Sequence, residues 1–261
     1  MKTQSAFIGA LVAAAVVIAV VAATGFPIAA FGVFAGLAIV GYIVGRLTAD
    51  SAAGDATRGV LIGMNSGLNV TLAFVVGREI FGEDTPAGVV AAVIGAMNFL
   101  TVFPVISNSE VFQGFLGWFN WFMPMSWLVV ALGLGFFLVS VLGHLILYPG
   151  PKWQVFRIIG LHADWKTGTW FMHGGWVSNA NPIDTAFNMG NFSFVDQHSS
   201  QLHMEHEAGH TLNLAAFGSV FHFVGALDEN VFGGGASAYS ERFAESNVPA
   251  TGHGDIIPMW I

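Results

Sequence analysis

The chain begins with long apolar runs divided by short polar stretches and ends in segments where apolar and polar residues mix more closely. Residues 6–23, 26–45, 59–77, 87–106 and 128–147 are each about twenty residues long, enough for a helix to cross a hydrocarbon core of roughly 30 Å. They predict five transmembrane helices. The first is read as uncleaved rather than as a signal peptide, because a second run follows after only Gly25-Phe26-Pro27. Residues 46–58 and 78–86 are the polar loops. The third run carries Asn65, Ser66, Asn69 and Thr71, and the fourth carries Asn98. Such side chains are expected to hydrogen-bond between helices. No ionisable residue falls mid-run, which leaves no candidate for an ion or proton path. Residues 110–127 are dense in Phe and Trp, including Trp118, Trp121 and Trp127. They suit an interfacial helix leading into the fifth span.

At Pro149-Gly150-Pro151 the pattern changes. Residues 153–161, 169–178 and 185–196 have β-rich character with partial alternation, and 164–168 and 179–184 read as turns. They predict a small antiparallel sheet. Ser199-Ser200 can then cap a helix along which His203, His206 and His210 recur at helical spacing. The apolar stretch 212–227 is short for a span, so it is either a core helix or a segment dipping into the membrane. Gly233-Gly234-Gly235 is a flexible connection, and 237–247 reads as a second short helix. The organisation expected is a multipass helical membrane domain over 1–149 and an α+β domain over 150–261.

Composition sharpens this picture. Only 9% of residues are charged and 54% are hydrophobic, against about 25% charged in soluble domains. The bilayer is therefore the first expected partner. From residue 150 onward there are ten acidic and four basic side chains, so a nucleic-acid surface, which would be basic and clustered, is not expected. The basic residues flanking the spans tilt slightly toward a cytoplasmic second domain. Cysteine is absent and eight of nine histidines lie from residue 162 onward. His, Asp and Glu are thus the available strong metal ligands.

The chemistry is concentrated in His206-Glu207-Ala208-Gly209-His210. This is H-E-x-x-H, in which residues i and i+4 present two imidazoles on one helix face and the adjacent carboxylate can serve as a general base toward water. The expected cofactor is Zn²⁺, and the expected reaction is hydrolysis of a peptide bond, with Glu207 as the base. A catalytic site of this kind needs a third protein ligand. Where metzincins carry a glycine and a third histidine this chain has Asn213 and Ala216, which sets that class aside. The candidates are Glu241, Glu229, Asp228 and His222. His162, His173, His198 and His253 have no partner at ligand spacing and are expected to be structural or on the surface.

The pairing of H-E-x-x-H with Glu241-Arg242-Phe243-Ala244-Glu245 resembles the zincin metallopeptidases, in particular the lethal-factor-type branch of the gluzincins, whose third zinc ligand is the first Glu of E-x-F-A-E. That resemblance implies a small sheet over the H-E-x-x-H helix and carries the ligand role onto Glu241. Glu245, one turn later, would orient a ligand, as would Asn213, and Tyr239 would stabilise the oxyanion. The function implied is a membrane-integral zinc metallopeptidase acting on membrane-associated or membrane-proximal proteins. Two other readings stand beside it: an intramembrane protease resembling the site-2 protease, and a non-enzymatic metal-stabilised sensor or scaffold.

Overall fold

Each of the first four apolar runs folds as a helix: α1 (Lys2–Thr24), α2 (Ile28–Thr48), α3 (Ala52–Phe81) and α4 (Asp84–Phe99). The computed structural model describes the whole chain except residues 1, 26–27, 149, 181–185, 197–198, 248–254 and 258–261. A short α5 (Pro104–Ser107) and the aromatic α6 (Glu110–Phe119) precede α7 (Trp127–Leu147). Among the described residues, five helices are long and apolar enough to cross a membrane. Large apolar side chains such as Leu11, Val12, Val33, Val40 and Leu142 stand exposed on them, as suits a hydrocarbon surround.

Small residues set the closest contact in this layer. A Cβ at Gly59 would stand 1.9 Å from the Ala6 carbonyl oxygen, and one at Gly63 would stand 2.1 Å from that of Ala10. The backbones of α1 and α3 therefore touch, as small residues allow where apolar surroundings leave packing as the main source of association. The polar loop expected over 46–58 is mostly helix. The Ser51 side chain caps α3 by accepting from the Gly54 amide, which lets the helix start seven residues before the apolar run does. Arg58 then turns inward and donates to the carbonyls of Thr101 and Val102.

Past residue 150 the chain forms β1 (Ile158–Asp164), β2 (Thr169–Gly174), α8 (Gly175–Ala180), β3 (Ala186–Met189), β4 (Phe192–Val195), α9 (Gln201–Asn230), α10 (Tyr239–Asn247) and a short edge strand β5 (Asp255–Ile257). The strand order is β3-β4-β2-β1-β5. The sheet is mixed rather than antiparallel, because β4 runs parallel to β2. The third predicted strand doubles back at Gly190, where φ is 71°, to make a β3–β4 hairpin. The second strand of that hairpin is the one that meets β2. The expected turn over 164–168 is present, and β1 and β2 pair antiparallel across it. Residues 153–157 form a 3-10 turn and an extended step instead of strand.

The sheet lies between two helices. Met172, Phe192 and Phe194 pack with Phe136, Phe137 and Val141 of α7, while Phe171 and Val195 pack with Met204 and Ala208 of α9. The chain changes character near residue 150, as read from the sequence, but the packing does not divide there. Further along α9, Ala216, Phe217 and Phe221 are buried with Val17, Leu61 and Met64 of the helical layer. The apolar stretch 212–227 is thus an interior helix shared by both parts.

That interior helix is broken once. Gly218 has φ 80° and ψ 178°, which interrupts the hydrogen-bond ladder and frees carbonyls in the turn before it. Asn65 and Asn98 reach across from α3 and α4, and the amide of each donates to the carbonyls of Ala215 and Ala216. Asn69 accepts from the Met125 amide, and Ser219 donates to the Met125 carbonyl. The interhelical role expected for these asparagines is what they perform. Thr71 differs, its hydroxyl bonding back to Gly67 and Leu68 of its own helix. Replacing Asn65 by Ala should therefore cost about 1–3 kcal/mol of stability, and Thr71→Ala under about 0.5 kcal/mol. Thermal unfolding in detergent checks this, and equal losses for the two variants would contradict it.

Candidate metal centre

The first half of α9 starts at a defined point because Ser200 accepts from the His203 amide while the His203 ring accepts from the Ser200 amide. With this start, His206 and His210 lie one turn apart on the face that looks toward α10. Their rings are 4.8 Å apart and nearly perpendicular, and their Nε2 atoms are 3.2 Å apart. Glu241, in the first turn of α10, places Oε2 2.8 Å from His206 Nε2 and 3.4 Å from His210 Nε2. These three residues form a group that could hold a metal ion. The fit can be judged from bond lengths: two ligands at roughly 2.0–2.1 Å from a tetrahedral ion stand about 3.3 Å apart. The observed separations of 2.8–3.4 Å bracket that spacing.

Glycine permits this approach. A Cβ at Gly209 would lie 2.2 Å from the Ala244 carbonyl oxygen, and one at Gly225 would lie 2.6 Å from Ser240. Any side chain at either position would push α10 from α9 and carry Glu241 away from the imidazoles. Asn213 strengthens the same junction by donating to the Ser240 carbonyl at 3.2 Å, and Ser240 Oγ donates to Glu241 Oε1 at 3.3 Å. Asn213 thus braces the first turn of α10 beside Glu241. The contribution of Gly209 was missed, although its place within the motif was visible.

Glu207 is buried at 7% exposure and lines a cleft with about 530 Å³ of empty space, partly open to solvent. The cleft is walled by Phe187 and Asn188 of β3, by His210 and His222 of α9, and by Glu241. Asn188 ties its wall to the helix by donating to the Glu207 carbonyl at 2.9 Å and to Thr211 Oγ1 at 3.2 Å.

The other candidates are placed elsewhere. Asp228 accepts from Tyr42, from Arg46 and from the Tyr239 amide. His222 Nε2 sits 3.3 Å from the Asn188 carbonyl, and burial and the neighbouring His210 push its pKa down to about 4. Glu229 lines the cleft without joining the triad. Tyr239 is not at the site, which corrects the oxyanion role. Its hydroxyl rests against Gly45 of α2, and its ring packs on Tyr42 and Phe243, because the first turn of α10 directs residue 239 to the face opposite the cleft. Glu245 follows in α10, but its side chain lies outside the described residues, as do His198 and His253. His162 and His173 stack on each other with centroids 5.3 Å apart. Burial pushes both down, His162 to about 4.

Searches against known protein families, curated proteins and solved structures find no match. The site must be judged on its own geometry.

Its electrostatics are those of a coupled group. Burial alone would lower the His210 pKa, but the Glu241 contact and the charges of Glu207, Glu241 and Glu229 outweigh it and raise the value to about 9. Burial would raise that of Glu241, and the two histidines instead hold it well below the usual carboxylate range. In the metal-free protein the His210 contribution to stability is therefore full below the unfolded value near 6.5 and is lost as pH rises through about 9. A metal needs the neutral imidazole, so its uptake must displace that proton. Metal titration calorimetry at pH 7 in buffers of different ionisation enthalpy should show about one proton released, and the affinity should rise toward pH 9. An affinity flat from pH 7 to 9 would contradict this account. Gly209→Leu should weaken metal binding by at least about tenfold with little change in helical circular dichroism, and unchanged binding would show that the close approach is not needed.

Proposed function

We propose that this chain is a membrane-integral, zinc-dependent metallopeptidase whose centre is His206, His210 and Glu241, with Glu207 as general base. The observation that carries the reading is the meeting of three donors from two helices at metal-ligand spacing, two of them, His210 and Glu241, on the wall of a cleft that also holds Glu207. Two imidazole nitrogens and one carboxylate are the donor set of a hydrolytic zinc site. Zinc bound there supplies a Lewis acid that polarises a carbonyl and acidifies water. Glu207 then takes the proton from the attacking water and delivers it to the leaving amine. Buried among helix and strand, Glu207 works in low-dielectric surroundings that strengthen its interaction with a developing charge.

A closed, purely structural site would need a fourth protein ligand. Among the described residues the donor group is a triad, and Asp228 and His222 are engaged elsewhere. This supports the enzyme over a metal-stabilised scaffold. Intramembrane cleavage, as in the site-2 protease, is a second reading favoured by one observation: the second half of α9 is buried among the apolar helices. It differs in the substrate, a membrane-spanning segment rather than a peptide beside the bilayer.

Metal analysis and cleavage assays test the proposal together. Purified protein should hold about one zinc per chain, and Glu241→Ala should lose it. Glu207→Gln should keep the zinc and lose activity by about 10²- to 10⁴-fold. A wild type with no bound metal, or a Glu207→Gln variant as active as wild type, would refute the proposal. Casein and a membrane-spanning reporter, offered in parallel, separate the two substrate readings.

A further inference from the structure

The third ligand of the centre sits on a nine-residue helix whose own sequence cannot hold its start. The residue before α10 is Ala238, which has no side chain able to cap the free amides of a first turn. The carbonyl of Ala238 accepts from the Glu241 amide at 3.1 Å. The two preceding amides are met from outside α10. The Tyr239 amide donates to Asp228 Oδ2 at 3.2 Å, and the Ser240 amide donates to the Tyr42 hydroxyl at 3.2 Å. Tyr42 in turn donates to Asp228 Oδ2 at 2.9 Å, and Arg46 pairs with the other oxygen of that carboxylate. Asp228 and Tyr42 are each 2% exposed. Asp228 also holds the loop that leads into α10, its carbonyl accepting from the Gly234 amide at 2.8 Å.

We propose that Tyr42 and Asp228 are positioning residues for the metal centre: a cap built from α2 and from the end of α9 fixes the first turn of α10 and so aims Glu241 at His206 and His210. The inference rests on the metal-centre reading above. Its logic is geometric. Asp228 places a negative charge at the positive end of α10 and fills its first amide, while Tyr42 fills the second and orients the carboxylate. From Ser240, whose amide Tyr42 receives, the same residue reaches forward and donates through Oγ to Glu241 Oε1. A chain of hydrogen bonds therefore runs from a membrane-length helix to the ligand carboxylate. Without the Tyr42 hydroxyl the Ser240 amide is left buried and unpaired, and the first turn of α10 frays. The donor of the triad that lies on another helix is then the one to move. Arg46, at 41% side-chain exposure, balances the Asp228 charge from the surface side.

The test is a zinc titration of the full-length chain in detergent against a competing chelator, alongside melting of the metal-free protein. The variants are Tyr42→Phe, Asp228→Asn and, as a control of similar type, Ser66→Ala. Ser66 donates a buried bond to the Gly95 carbonyl between α3 and α4 and touches neither α10 nor the cleft. Tyr42→Phe and Asp228→Asn should each raise the zinc dissociation constant about 10- to 100-fold, while Ser66→Ala lowers the melting temperature and leaves the constant unchanged. Wild-type affinity in Tyr42→Phe and Asp228→Asn would overturn the inference, and so would a loss of affinity as large in Ser66→Ala, which would mark a general loosening. Should Asp228→Asn not fold, Tyr42→Phe decides alone, since it removes one oxygen and leaves the ring in place. A wild type that takes up no zinc would refute the metal centre itself, and this inference with it.

Discussion

The carbonyls of Ala215 and Ala216, freed by the break at Gly218, must find donors in a buried, apolar setting. Surroundings of apolar helices make each unmet carbonyl costly, and Asn65 and Asn98 answer that need from two different helices. Once they do so, α3 and α4 are held against α9 at one height and one rotation. The approach of α1 to α3 over Gly59 and Gly63 then places the remaining wall. The interior position of α9 follows from satisfying its backbone as much as from burying Phe217 and Phe221.

Fixing α9 fixes the site. Its N-terminal half leaves the helical layer to lie beneath the sheet, with Ala208 and Met204 against Phe171 and Val195. This orientation turns His206 and His210 toward α10 and Glu207 toward the cleft beside β3. The junction with α10 is close because two glycines of α9 face it, and polar contacts from Asn213, Asp228 and Tyr42 hold it there. The donors come from two helices and their support from α2 as well. The proposed centre is therefore built across the whole molecule and would not survive as an excised second domain.

The contacts of Glu241 with His206 and His210 form a group that could hold a metal ion. The buried Glu241 carboxylate holds the proton on His210 and is itself held ionised by its imidazole neighbours, and a divalent ion bound there would replace that proton with its own charge. The same arrangement thus remains electrostatically satisfied with and without metal.

The sequence by itself determined the elements whose cause is local or compositional. Runs of about twenty apolar residues placed the five membrane-length helices, and the change of pattern near residue 150 placed the strands. The i, i+4 spacing put His206 and His210 on one helix face, and the short acidic helix supplied Glu241 as a candidate. Polar residues within apolar runs already implied bonds between helices. Tertiary structure alone decided the rest, because it depends on partners distant in the chain. Glu241, Asp228 and Glu229 are equivalent as carboxylates until folding gives the first to the histidines, the second to a helix start and the third to the cleft wall. The resemblance carried an oxyanion role onto Tyr239, yet the direction of one helical turn sends it against Gly45. The parallel β2–β4 pair arises from a hairpin at Gly190 whose place in the sheet no local pattern encodes. The burial of residues 212–219 and 221 within the helical layer follows from asparagines over a hundred residues earlier, and only the folded chain brings them together.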